Sequence, residues 1–109
     1  MIYLFISDII FQSRIDNELR NLELKGKFVK SVDDVQELNK QSFAIFDLSD
    51  ETHLDALKKF REKFSQVKTV AFLPHVNEDL KQKAVSLGCS SVIARFEFTK
   101  NLRAILQGK

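Results

Sequence analysis

The 109-residue sequence has few of the residues that staple or interrupt small folds: one cysteine, one proline, three glycines and no tryptophan. A single cysteine cannot form an intrachain disulfide, which suits a reducing compartment. The sequence shows no linker, repeat or low-complexity segment, and its length is that of a single domain, residues 1–109. Ten phenylalanines, together with Leu, Ile and Val, must therefore supply the core.

The sequence also lacks a strong excess of one charge and a long apolar run. Its formal net charge of +2 is too small to indicate a surface for nucleic acid. The apolar segment 2–6 is too short for a signal-peptide core or a membrane span, and no basic segment precedes it. The sequence therefore predicts a soluble cytoplasmic protein that binds neither nucleic acid nor membrane.

Short continuous apolar runs predict strands that are buried on both faces, as in a parallel sheet covered by helices. The three clearest runs are 2–6, 43–46 and 69–73, and two weaker runs lie at 28–29 and 91–94. Segments with helical spacing separate them, so the order is strand then helix, five times. This alternation predicts an α/β fold with right-handed crossovers.

Helix boundaries are predicted from capping residues and from the spacing of apolar side chains. The first helix is expected to end near Gly26, because glycine readily adopts the left-handed conformation that closes a helix. Its inner face is expected to carry Ile10, Ile15, Leu19 and Leu22. The other helices are expected to begin at Ser31 with Val35 and Leu38 inside, to span 51–64, to run from Asn77 to Gly88, and to begin near Thr99.

Polar residues follow the predicted strands at the edge where doubly wound sheets bind ligands. If the strand order is 2-1-3-4-5, strands one and three are neighbours, and the acids Asp8 and Asp47 meet beside the same crevice. The residues expected at this edge are Ser7, Asp8, Asp47, Leu48, Ser49, Asp50, Pro74, His75, Arg95 and Phe96.

Three segments of the sequence resemble the receiver domains of bacterial response regulators, and the resemblance covers essentially the whole chain. Residues 5–8 (Phe-Ile-Ser-Asp) resemble the acidic end of receiver strand one, and residues 44–47 (Ala-Ile-Phe-Asp) the strand that ends in the phosphoacceptor. Residues 84–92 are similar to the passage from helix four to strand five. The resemblance implies a flavodoxin-like (CheY-like) α/β/α sandwich with five parallel strands in the order 2-1-3-4-5. It also implies a two-component signalling module rather than an enzyme.

The resemblance further implies a phosphorylation site. Asp47 would be the phosphoacceptor, and Asp8 with Asp47 would be the ligands of a weakly bound Mg²⁺. Three positions depart from the receiver pattern: Ser7 replaces an acid, Pro74 a threonine or serine, and Arg95 a lysine. These departures indicate an atypical receiver, or pseudo-receiver, and they weigh against phosphorylation.

Several functions remain open from the sequence alone. The leading interpretation is a stand-alone receiver-like signalling domain that acts through protein contacts. The alternatives are a Mg²⁺-dependent phosphoacceptor and a flavodoxin-like domain that binds a small molecule. Asp8 and Asp47 could also simply cap the turns that follow their strands, or either acid could pair with Arg95 and lock the crevice.

Partner surfaces are expected on the last part of the chain. A histidine kinase or a downstream effector is the expected partner, and a homodimer could form through helix four, strand five and helix five. One of Phe96 and Phe98 is expected in the core and the other partly exposed. The interface candidates are Phe96, Phe98, Lys100 and Arg103. The remaining reactive residues are expected to be structural, with His53 and His75 at the surface or capping helices and Cys89 an inert core thiol.

Overall fold

The computed structural model describes residues 1–36, 38–74 and 77–108, which contain one five-stranded sheet of order β2-β1-β3-β4-β5. Every neighbouring pair of strands is parallel. The predicted flavodoxin-like fold and strand order are confirmed. The strands are β1 (Ile2–Phe5), β2 (Gly26–Phe28), β3 (Phe43–Asp47), β4 (Lys68–Leu73) and β5 (Ser91–Ala94).

Helices follow β1, β3, β4 and β5, a 3₁₀ turn lies between β2 and β3, and the helices cover both faces of the sheet. None of the helices in the described part of the chain is both long and apolar enough to span a lipid bilayer. The elements are α1 (Ile9–Asn21), a 3₁₀ turn (Val32–Asp34), α2 (Thr52–Lys63), α3 (Glu78–Ser86), α4 (Arg95–Lys100) and α5 (Leu102–Leu106).

The core consists of two apolar clusters on opposite faces of the sheet, because successive strand residues point to opposite sides. On one face, the Phe5 and Phe46 rings stack with centroids 4.4 Å apart. On the other, Phe72 and Phe98 stack at 4.3 Å. Phenylalanine thus supplies much of the core, as its abundance in the sequence suggests.

The inner face of α1 differs from the prediction. Phe11, Ile15 and Leu19 are buried, whereas Ile10 is 84% exposed. The side chain of Asp8 accepts a hydrogen bond from the Phe11 amide and caps the helix, which therefore begins at Ile9. Buried positions then recur every four residues from Phe11, and Ile10 points to solvent.

The prediction that α1 ends near Gly26 is wrong. Gly26 lies in β2, opposite Ile2. The helix ends at Asn21, and Glu23 adopts the left-handed conformation with φ 56°. A Cβ atom on residue 26 would lie 2.6 Å from Cδ1 of Leu19. A side chain at position 26 would have to displace the end of the Leu19 side chain, because α1 packs closely on the edge strand.

The second predicted helix is only a 3₁₀ turn. Ser31 caps it as expected, since its Oγ accepts from the Asp33 amide at 3.2 Å. Val32 and Val35 are buried, and Leu38 is half-buried. Two valines supply enough apolar contact for one turn, but too little for a longer helix.

The helix boundaries predicted after β4 are partly confirmed. Asn77 caps α3 through a bond from the Leu80 amide, 3.1 Å long, and Gly88 follows the helix with φ 89°. The last helical segment begins at Arg95, four residues before Thr99, and Asn101 divides it into α4 and α5. Thr99 therefore lies inside α4 and does not cap it.

Candidate functional site

The predicted crevice lies at the carboxyl ends of β1 and β3. These strands are parallel neighbours, with Phe5 opposite Phe46. Three side chains that follow them, Ser7, Asp50 and His53, line a cavity of about 620 Å³. The predicted parallel pairing of β1 and β3 is confirmed, but the residues that line this cavity include neither Asp8, Asp47 nor Arg95.

Asp47, the phosphoacceptor candidate, is the last residue of β3 and is only 2% exposed. Its Oδ1 atom accepts hydrogen bonds from the amide of Ser49 at 3.0 Å and from the Ser49 hydroxyl at 2.6 Å. These bonds turn the chain as it leaves the strand. A carboxylate held in this way presents almost no surface to an incoming phosphoryl donor.

Asp8 is both a helix cap and one half of an ion pair. Besides the Phe11 amide, its carboxylate contacts the guanidinium of Arg95 at 3.4 Å. The hydrogen bond from Phe11 lowers the pKa of Asp8 most, and Arg95 lowers it further. The Arg95 guanidinium also lies 4.4 Å from the centroid of the Phe11 ring. Of the two ion pairs that the sequence left open, Asp8–Arg95 is the one present.

His53 is buried in the crevice. The prediction that it lies at the surface or caps a helix is therefore wrong. His53 is 4% exposed, and its Nδ1–H donates to the backbone carbonyl of Asp47 at 2.6 Å. Because a carbonyl oxygen can only accept, Nδ1 must carry the proton. Nε2 therefore faces the Ser7 hydroxyl, 3.3 Å away.

Asp50 follows β3 and contacts both His53 and Ser7, the latter of which follows β1. It accepts a hydrogen bond from the Ser7 hydroxyl at 3.0 Å and lies 3.7 Å from His53 Nε2. It also accepts from the amide and hydroxyl of Thr52 at 2.9 and 2.6 Å. The Thr52 hydroxyl contributes most to lowering the pKa of Asp50. The hydrogen bond from Ser7 to Asp50 thus ties the end of β1 to the start of α2, and His53 Nε2 lies beside both side chains.

Helical spacing could have revealed the position of His53. The buried residues of α2 are His53, Ala56, Leu57 and Phe60, so the histidine lies on the apolar stripe of the helix. Its ring also meets that of Phe5 edge-on, with centroids 6.4 Å apart. The other histidine, His75, lies outside the described residues.

Each of the two carboxylates proposed as Mg²⁺ ligands has a partner within the protein. Mg²⁺ requires several oxygen ligands in near-octahedral geometry. The carboxylate of Asp47 is bonded to Ser49, and that of Asp8 lies against the positive charge of Arg95. Within residues 1–36, 38–74 and 77–108, no group of three or more His, Cys, Asp or Glu side chains is placed to hold a metal ion. Pro74 is exposed and supplies no hydroxyl.

The interface candidates differ sharply in exposure. Phe96 is 75% exposed and Phe98 is fully buried, which confirms that one of them is in the core. Phe98 therefore cannot contribute to a surface. Lys100 is exposed. Arg103 reaches across to α1, where its Nε lies 2.8 Å from a carboxylate oxygen of Glu18.

Cys89 has the properties of a structural thiol. It is half-buried, and its thiol donates to the carbonyl of Ser91 at 3.3 Å and, more weakly, to that of Thr69 at 3.6 Å. Burial raises its pKa. The reactive thiolate is therefore disfavoured, which agrees with the expectation of an inert core thiol.

Comparisons with known proteins support the fold. No family model matches the sequence, and no curated protein matches it significantly. A response regulator from Thermotoga maritima is 18% identical, with a TM-score of 0.65 over 94% of this chain and 96% of its own. A CheY-like receiver domain from Methanospirillum hungatei is 12% identical, with a TM-score of 0.76 over 98% and 93%.

A third solved structure shows a Burkholderia pseudomallei response regulator with a phosphorylated aspartate and a calcium ion. It is 14% identical, with a TM-score of 0.69 over 86% of this chain and 59% of its own. Likeness at this level of identity concerns the fold. The chain has the CheY-like fold of response-regulator receiver domains.

Proposed function

We propose that residues 1–109 form a receiver-like signalling domain that acts through protein contacts and does not depend on aspartyl phosphorylation. The main support is the state of Asp47: its carboxylate is buried and bonded to Ser49. Phosphorylation requires a carboxylate that can attack, and a metal and a cation that neutralise the phosphoryl group. Here the nucleophile is enclosed and its companion acid is paired with Arg95.

The Asp8–Arg95 pair takes over part of the role of a phosphoryl group in this proposal. It joins the start of α1 to the start of α4, so the two sides of the crevice are held by a charge contact within the chain. The pair is partly exposed, and such pairs are individually weak. The packing of Arg95 on the Phe11 ring adds to it. We propose that these contacts hold the starts of α1 and α4 together without a bound group.

A surface for the partner lies beside this pair. Ile9, Ile10 and Phe96 are 76%, 84% and 75% exposed, and they adjoin Asp8 and Arg95 along the chain. Large exposed apolar side chains are a feature of protein interfaces. We propose that these three residues contact a signalling partner, either a histidine kinase or a downstream effector.

Phosphorylation is tested with acetyl phosphate and Mg²⁺, with intact mass as the measurement. We expect no adduct on the wild-type protein under conditions that fully phosphorylate a competent receiver in the same tube. An adduct that disappears in Asp47→Asn would refute the proposal and establish the alternative, a Mg²⁺-dependent phosphoacceptor.

The contact surface is tested with a photo-crosslinking amino acid at position 96 in producing cells. Val85, which is 48% exposed on α3, provides the control position. We expect a discrete crosslinked product from position 96 that Ile10→Ser diminishes, and none from position 85. A product of twice the mass of the chain would identify the partner as a second copy. Equal crosslinking from both positions would contradict the proposed surface.

A further inference from the structure

The amino ends of the strands form the edge of the sheet opposite the crevice. This edge carries lysines, whereas the edge formed by the carboxyl ends carries acids. Lys25 immediately precedes β2, Lys40 lies three residues before β3, and Lys68 is the first residue of β4. All three side chains are exposed. They surround a cavity of about 510 Å³, a size within the range of small-ligand sites.

The floor of this cavity is apolar. It is formed by Ile2, Phe43 and Leu106, which belong to one core cluster and are 1–6% exposed. The ammonium of Lys68 lies 5.7 Å from the centroid of the Phe43 ring. A second depression of about 550 Å³ adjoins the first and shares Lys40 and Lys68 with it. Positive charge therefore surrounds an apolar surface.

Within residues 1–36, 38–74 and 77–108, no ion pair involves Lys25, Lys40 or Lys68. No aspartate or glutamate is among the described residues that line either depression. Lysines that face a shared cavity without counter-charges create a positive potential that favours an anion.

We propose that this edge binds a small amphipathic anion. Its carboxylate or phosphate group lies among Lys25, Lys40 and Lys68, and its apolar tail lies on the floor formed by Ile2 and Phe43. The anion comes either from a free metabolite or from a lipid headgroup, since the chemistry recognised is the same. This site is separate from the crevice and does not depend on the signalling role.

The site is tested by titrating ¹⁵N-labelled protein with octyl phosphate and following the amide resonances of Ile2, Lys25 and Phe43. Inorganic phosphate tests the need for a tail, and octyl glucoside tests the need for charge. The test variant is Lys40→Gln/Lys68→Gln. The control variant, Lys58→Gln/Lys81→Gln, removes the same charge from exposed positions outside the cavity.

We expect saturable shifts at these amides with octyl phosphate, and much weaker binding of the two other compounds. Each lysine removed from the cavity should weaken binding roughly two- to five-fold, as for a partly exposed charge pair. The control variant should bind like wild type. Shifts that do not saturate, equal effects of the two double variants, or equal binding of inorganic phosphate would each overturn the proposal.

The two sources are distinguished by sedimentation with vesicles of phosphatidylglycerol. Co-sedimentation that Lys40→Gln/Lys68→Gln abolishes, with the control variant unaffected, assigns the site to a membrane lipid. Saturable binding of octyl phosphate without co-sedimentation assigns it to a free amphiphile. Both results support an anion site at this edge.

Discussion

Replacing His53 by phenylalanine tests whether the buried histidine holds the crevice together. Phenylalanine keeps a ring of similar shape against Phe5, so little cavity is created. It removes the hydrogen bond from Nδ1 to the Asp47 carbonyl, which lies at a residue only 2% exposed. A buried acceptor that loses its donor costs about 1–3 kcal/mol. We therefore expect His53→Phe to lower the free energy of unfolding by that amount.

The expected change in melting temperature follows from the size of the chain. At about 2.1 cal/mol/K per residue, the unfolding entropy of a domain this long is about 0.23 kcal/mol/K. His53→Phe should therefore lower the melting temperature by roughly 4–13 °C. The assay is thermal unfolding followed by far-ultraviolet circular dichroism, with urea unfolding as a second measurement of stability.

Ser7→Ala is the matched control, because it removes the partner on the exposed side of the same imidazole. Ser7 is exposed, so its hydrogen bonds compete with water, and we expect a change below about 0.5 kcal/mol. If Ser7→Ala destabilises the protein as much as His53→Phe, the Asp47 carbonyl is not the important partner. If His53→Phe leaves stability unchanged, the reasoning from burial is wrong.

Three further predictions follow. Asp8 and Asp50 have pKa values below their usual value of 3.8. The stability that these carboxylates contribute is therefore present above pH 3.8 and is lost as the pH falls through the lowered pKa values. The acid unfolding transition should be less steep in Asp8→Asn/Asp50→Asn, and an unchanged profile would contradict this. Gly26→Ala should cost about 1–3 kcal/mol in urea unfolding, because the new methyl group meets Leu19, and a neutral effect would show that α1 can move away. Cys89 should react with iodoacetamide far more slowly in the native protein than in urea, as followed by intact mass, and equal rates would refute its burial.

The fold was predictable because its signals are repeated along the chain. Five apolar runs separated by helical spacing require a layered α/β arrangement, and three of the capping predictions, at Ser31, Asn77 and Gly88, agree with the structure. The prediction of the inner face of α1 was wrong at Ile10. Ile9 and Ile10 continue an apolar sequence, but the cap at Asp8 sets the phase of α1 and turns both outward.

The candidate site was predictable in position but not in detail. Parallel neighbouring strands bring Asp8 and Asp47 to the same edge, and the sequence showed which residues follow each strand. Hydrogen bonding within that edge depends on rotamers and on the turn that follows β3. The sequence allowed Asp47 to cap the turn after β3, but no pattern indicated that Ser49 is its partner or that His53 bonds its carbonyl.

The central sheet divides the core into two compartments, one on each face, with only the backbone of the strands between them. The stacked pair Phe5–Phe46 lies in one compartment and the pair Phe72–Phe98 in the other. A change of side-chain volume in one compartment is met first by neighbours in the same cluster. Substitutions in the two compartments should therefore have nearly additive effects on stability, because residues without shared partners couple weakly.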